Sequence, residues 1–193
     1  TCNLSEVVLH PTDTIDDVSR KIGLATILGT IQSALTDFRY VRPIWRKNAE
    51  EERLLGVSFT GVFDCPVVLN ATPNQLDAWR GSAIMVNNIW AKKMGINPSA
   101  ATTCIKPSGT VSQLTGVAGS GLHPSYSKYY IRRIRQDRKD PLNQALIDAG
   151  IQYEDDPYNK EAIVFSFPMK APAKSRTRNE VTALQHLEIW KKF

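Results

Sequence analysis

The feature that most constrains this chain is the alternation of two hydrophobic periods along it. Leu4 to Leu9 is apolar enough for a short strand, and a turn follows at His10-Pro11. Thr14-Ile15-Asp16-Asp17 then reads as a helix start, with a capping hydroxyl and acidic residues in the first turn. Ile15, Val18, Ile22, Ile27, Ile31, Leu35 and Phe38 recur at helical steps, which predicts an amphipathic helix ending near Phe38. Ala49 to Leu55 is a second, short helix candidate, and Leu55 to Thr60 is a strand closed by Gly61. Thr72-Pro73 places a capping hydroxyl before a proline at the first helical position. Leu76, Trp79, Ala83, Val86, Trp90 and Met94 share the face of that helix, and Gly95 is its expected terminator.

The pattern continues to the end. Thr102 to Ile105 is read as a buried strand and Tyr129 to Arg135 as a more exposed one. Asp140-Pro141 opens a helix that Gly150 closes, and Ala162 to Phe167 is rich in strand formers. Thr177-x-x-Glu180 resembles a capping box before a last helix carrying Val181, Leu184, Leu187 and Trp190. Strands alternating with helices predict an α/β fold, a mostly parallel sheet or barrel, over residues 1–193 as one segment. Thr1 leads straight into a strand and Phe193 stops inside a helix, so the expectation is a piece of a larger domain.

Composition excludes some classes. A chain that is 42% hydrophobic and 22% charged is not globally disordered. No apolar run approaches a membrane span, and the first residues lack the basic start and apolar run of a secretory leader. Three scattered cysteines do not make a disulfide framework, so a reducing cytoplasm is expected. The net charge of +5 lies wholly in residues 101–193, because residues 1–100 carry ten basic and ten acidic side chains. It is densest at Lys128, Arg132, Arg133, Arg135, Arg138 and Lys139, which fits either a polyanionic partner or a solvated face. Tyr126, Tyr129 and Tyr130 interleave with these cations, but no nucleic-acid module is recognisable.

The sharpest local chemistry is Pro107-Ser108-Gly109-Thr110-Val111-Ser112, which follows the apolar Thr102–Ile105 run. Ligands of α/β proteins bind at the carboxyl ends of strands, and free amides at a helix start attract anions. Gly109 lets a phosphate come close to the backbone, and Ser108, Thr110 and Ser112 add hydroxyl donors. A plain turn and helix cap is the alternative reading. The spacing is not that of a Walker loop. Gly116, Gly119 and Gly121 make a small-residue loop before His123-Pro124. The three histidines are too scattered for a metal motif, and no zinc site or Ser–His–Asp triad is expected. Cys104 is expected to be a small core residue, and the four tryptophans are expected in the core.

Several strings taken together resemble one family, the catalytic chain of the adenosylcobalamin-dependent (class II) ribonucleotide reductases. They are Cys2-Asn3-Leu4-Ser5-Glu6-Val7, Asn48 to Ser58, Lys106 to Leu114, Gly121 to Ser127, Tyr129 to Arg133 and Thr182 to Lys192, in the family's order. The resemblance implies part of a ten-stranded α/β barrel, from its C-terminal portion. It implies reduction of ribonucleoside triphosphates to 2′-deoxyribonucleotides by thiyl-radical chemistry, with a cysteine pair as reductant. Ser108, Gly109, Thr110, Val111 and Ser112 match the family's phosphate loop. Cys2 matches a redox-active cysteine whose disulfide partner lies outside this chain. Adenosylcobalamin, a thioredoxin-like reductant and the remainder of the reductase chain are implied partners, while no membrane and no nucleic acid are expected. The family's Asn-Pro-Cys-Gly-Glu radical segment is absent, so the isolated chain is expected to be inactive. The alternatives are another branch of the same family, or a non-catalytic module that binds nucleotides or nucleic acid.

Overall fold

A computed structural model of the chain describes residues 3–116 and 119–193. It divides into two compact units, Thr1–Tyr126 with Pro172–Phe193, and Ser127–Ala171. In the larger unit, β1 (Asn3–Val8) and β2 (Leu55–Thr60) pair in parallel, with Asn3 opposite Leu55 and Val8 opposite Thr60. The connection between them carries α1 (Ile15–Gln32) and α2 (Pro43–Glu52). A parallel pair requires such a long crossover, which is the α/β arrangement read from the sequence.

The helix starts predicted at Thr14 and Thr72 hold. Thr14 accepts from the Asp17 amide while Asp17 Oδ2 accepts from the Thr14 amide, a reciprocal cap on α1. The Thr14 hydroxyl and amide hold the Asp17 carboxyl below its usual pKa. After the short α3 (Pro66–Leu69), Thr72 caps α4 (Pro73–Met94), and Gly95 ends it at φ +66°. The buried stripe of α4 is Trp79, Ala83, Asn87 and Ala91, one step round from the predicted face. Asn87 sits on that stripe because Thr30 and Ser99 satisfy its amide group. The core packs Val7, Leu9, Val18, Ile22, Val57, Val62, Val68 and Trp79 between the parallel strands and the helices.

Several sequence expectations need correction. α1 stops at Gln32, not near Phe38. Ser33 Oγ donates to the Thr30 carbonyl, and the next amides form tight turns that carry the chain away, leaving Leu35 exposed. α2 starts at Pro43, earlier than read, and ends in the left-handed Arg53 (φ +46°), whose guanidinium reaches the Ser33 carbonyl at 2.6 Å. Thr102–Ile105 is not a buried strand. It makes one parallel bridge, Val57 to Thr103, and leaves Thr103 and Ile105 exposed. Cys104 is accordingly half-buried. Only Trp79 of the tryptophans is fully in the core. Trp90 is half-buried, while Trp45 and Trp190 lie on exposed helix faces. The Thr177–Glu180 box closes a single 3-10 turn, because Val181 is extended. The last helix, α7 (Ala183–Lys192), has its own box from Thr182 and Gln185.

The smaller unit is an antiparallel sheet, not a continuation of the parallel pattern. Its order is β3 (Tyr129–Asp137), β5 (Ala162–Lys170), β4 (Tyr153–Asp155), with α6 (Leu142–Asp148) between β3 and β4. The short link from β4 to β5 permits only a hairpin. The predicted basic cluster lies here, and its own sheet neutralises much of it. Arg133 pairs with Glu154, Arg135 with Asp156, Arg138 with Asp155 and Lys139 with Glu161. The Tyr158 amide and the Arg135 guanidinium hold the Asp156 carboxyl below its usual pKa. Among the described residues no helix is long and apolar enough to cross a membrane.

Candidate phosphate-binding turn

β1, β2 and the 101–104 segment run in the same direction. The Leu55 and Val57 amides donate to the Ala101 and Thr102 carbonyls, and the Cys104 amide returns to the Val57 carbonyl. The chain beyond Cys104 therefore emerges at the carboxyl ends of the parallel strands, where α/β proteins present their ligand loops. There Lys106 Nζ meets Glu6 Oε1 of β1 at 2.9 Å. Glu6 is nearly buried, and its other oxygen has no partner among the described residues. Removing the cation leaves that carboxylate uncompensated. Lys106→Met is expected to lower the unfolding free energy by about 3 kcal/mol. The double variant Lys106→Met/Glu6→Gln is expected to recover part of that loss, as read by urea denaturation. Equal stability of the single variant and the parent would show that the pair carries no weight.

The turn that follows divides its residues into two sets. Ser108 and Ser112 are buried and hold the turn together. The Ser108 hydroxyl accepts from the Ser112 amide at 2.8 Å, and the Ser108 amide donates to Ser120 Oγ at 2.9 Å. Ser112 Oγ accepts from Gln113 Nε2 at 3.3 Å. Gly109, Thr110 and Val111 are exposed, and their amides make no hydrogen bond among the described residues. Gly109 has φ +62°, and a Cβ built on it would meet nothing within 4 Å. Thr110 leads directly into the one-turn helix α5 (Val111–Leu114). The result is an exposed turn with open space over Gly109, three backbone donors without partners among the described residues and the Thr110 hydroxyl, a set that suits a phosphate group.

Behind the turn lies a framework that sequence reasoning did not find. Asp64 is fully buried and accepts from the Gly119 amide at 3.2 Å and from the hydroxyls of Ser125 and Ser175. Thr60, at the end of β2, donates to the Gly119 carbonyl and accepts from the Gly121 amide at 2.9 Å. His123 Nδ1 bonds the Ser120 carbonyl and His186 Nε2 the Leu122 carbonyl, each at 2.9 Å. The only available signal was an acidic residue just after a strand-ending glycine, at Gly61 to Asp64. Among the described residues no group of three or more His, Cys, Asp or Glu forms a metal site. The larger cavity, about 780 Å³, lies elsewhere, along β2 and α4 and bounded by Phe59, Leu76, Ile105 and Phe193. A smaller one, about 430 Å³, opens at Ser120, His123, Tyr126, Arg178 and His186.

Cys2 lies outside the described residues. Cys65 is buried, and burial pushes its thiol pKa up, which keeps it protonated and unreactive.

No family model matches the chain. Curated proteins do. The chain is 30% identical to the adenosylcobalamin-dependent ribonucleoside-triphosphate reductase of Lactobacillus acidophilus, over 94% of its own length and 28% of that protein. It is 27% identical to the enzyme of the same name from Lacticaseibacillus paracasei over 88% of its length, and 44% identical to that of Lactobacillus gasseri over 42%. This chain is homologous to a segment of the adenosylcobalamin-dependent ribonucleoside-triphosphate reductases. It spans just over a quarter of the first of these relatives. The crystal structure of a B12-dependent class II ribonucleotide reductase superposes on the whole chain with a TM-score of 0.73, at 23% identity and over 31% of that protein. The fold is therefore a portion of that reductase's α/β barrel, as the resemblance implied.

Proposed function

We propose that this chain is the phosphate-binding and reductant segment of a ribonucleoside-triphosphate reductase. The observation that carries the reading is the set of three exposed amides at Gly109, Thr110 and Val111 that have no partner among the described residues, on a turn that the reductase homology covers. These amides and the Thr110 hydroxyl hold the substrate phosphates. Ser108 and Ser112 belong to the same site as its frame, holding the loop in the shape that leaves the donors free. Binding energy spent on the phosphates fixes the ribose relative to the reacting groups.

Cys2 is one thiol of the reductant pair, and the second lies outside this chain. Together the two thiols give up two electrons and two protons. The ribose 2′-hydroxyl leaves as water, a hydrogen takes its place, and the pair closes to a disulfide. A thioredoxin-like dithiol reopens it by exchange, which suits a cytoplasmic enzyme. When bound, adenosylcobalamin supplies the radical that starts the reaction. The share of this chain in that reaction is phosphate binding and reduction. The basic run of the smaller unit is largely paired with acids of its own sheet, which favours a solvated face over a nucleic-acid surface.

The test is Cys2→Ser in the complete reductase chain that carries this segment. Triphosphate binding is expected to remain, and turnover with a dithiol reductant is expected to fall to background. Undiminished multiple turnover would overturn the assignment of Cys2.

A further inference from the structure

We propose that Asp64 is a positioning residue for the phosphate turn and acts on it through the Gly119–Gly121 loop and Ser120. The proposal rests on the reading of 108–112 as the phosphate site. Asp64 lies more than forty positions before the turn, and its hydrogen bonds to Gly119, Ser125 and Ser175 go to residues outside it. Its carboxylate is fully buried and accepts hydrogen bonds from the Gly119 amide and the Ser125 and Ser175 hydroxyls. The Gly119 carbonyl in turn accepts from the Gly61 amide at 3.0 Å and from Thr60 Oγ1. The N–H and C=O of Gly119 are thus both fastened, the one to Asp64 and the other to Thr60 and Gly61 at the end of β2. The next residue, Ser120, presents its Oγ to the Ser108 amide at 2.9 Å.

That last bond is the informative one. Ser108 is the turn residue whose amide is bonded within the protein, whereas the next three residues are exposed and their amides have no partner among the described residues. Losing the Ser120 acceptor frees the Ser108 amide and lets the Pro107–Ser108 peptide plane, at the entrance to the turn, rotate. Rotation there misdirects the three donors together. Asp64 determines where Ser120 stands, so its effect reaches the phosphates without contact. A buried carboxylate suits this task better than a neutral acceptor, because its charge-assisted bonds are stronger and it can accept from all three donors at once. Asp64→Asn keeps the size of the side chain and replaces one acceptor oxygen by a donor, setting N–H groups against N–H or O–H groups.

The experiment uses the complete reductase chain with Asp64→Asn, Ser120→Ala, Ser120→Thr and Gly109→Val. Asp64→Asn and Ser120→Ala are each expected to raise the KM for triphosphate about tenfold while kcat stays within roughly twofold. Ser120→Thr keeps the hydroxyl and is expected to restore the parent KM. The double variant Asp64→Asn/Ser120→Ala is expected to be no worse than the weaker-binding single variant, because both lie on one path. Should Asp64→Asn fail to fold, the Ser120 pair alone decides. An unchanged KM in Ser120→Ala, while Gly109→Val abolishes binding, overturns the positioning role and leaves the phosphate site standing. Normal triphosphate binding by Gly109→Val overturns the phosphate site itself.

Discussion

Gly109→Val is expected to weaken triphosphate binding by the complete reductase at least about 100-fold, which corresponds to the loss of one or two charge-assisted hydrogen bonds. Two effects act together. Gly109 has φ +62°, where a β-branched residue is strained. The space above it is empty to 4 Å, so the isopropyl group would fill the place proposed for a phosphate oxygen. The two effects can be separated with Gly95→Val. Gly95, at the end of α4, has φ +66° and equally open surroundings, but no candidate site beside it. Both variants are expected to lose stability by a similar amount, about 1–2 kcal/mol. Only Gly109→Val is expected to lose the nucleotide. Isothermal titration with a triphosphate and with the parent nucleoside reads the difference, since the nucleoside presents nothing for the turn to hold. Equal triphosphate affinity in the two glycine variants would refute the site.

The second large effect concerns stability. Gly121→Ala is expected to lower the unfolding free energy by about 3 kcal/mol or more, from left-handed strain and a clash that the packed backbone cannot relieve. Gly121 has φ +61°, and a Cβ there would stand 2.4 Å from the Lys106 carbonyl oxygen and 3.3 Å from the Pro107 Cα. Neither neighbour is the end of a flexible side chain. The clash would also push on the Gly121 amide and carbonyl, which bond Thr60 Oγ1 and the Val62 amide. Gly23→Ala in α1 is the control. It meets nothing within 4 Å and is expected to be neutral or stabilising by roughly 0.5–1 kcal/mol. Urea denaturation of the two variants checks the contrast. A Gly121→Ala protein as stable as its parent would show that the loop does not approach the strand ends as closely as the structure has it.

Local signals in the sequence were read correctly where the physics is local. Thr14 with Asp17, and Thr72 with Pro73, announce helix starts because a hydroxyl must meet an amide two or three residues on. Gly95 announces a stop because only glycine takes the left-handed cap without strain. The Pro107–Ser112 turn was visible for a similar reason, as a short run of glycine and hydroxyl residues after an apolar segment. The errors lie where a distant partner decides. Trp190 reads as core from its helical spacing but lies exposed on α7. Thr102–Ile105 reads as a buried strand, yet only one of its residues bridges β2. The end of α1 depended on a serine hydroxyl competing for a helix carbonyl, which the apolar spacing through Leu35 and Phe38 concealed.

The net charge shows the same division. Its sign and location follow from the sequence alone. Its meaning does not, because Arg133, Arg135 and Arg138 meet Glu154, Asp156 and Asp155 only once β3, β5 and β4 have aligned. By itself the sequence determined the α/β alternation, the helix caps at Thr14 and Thr72, the Pro107–Ser112 turn and the reductase resemblance, all written in neighbouring residues or in the order of short strings. Only the tertiary structure decided which turn residues frame the site and which face outward. It also brought Asp64, Thr60 and Ser120 behind the turn. Hydrogen bonds between residues tens of positions apart leave no periodic mark in the chain, and they exist only after the parallel strands have carried their ends to one edge.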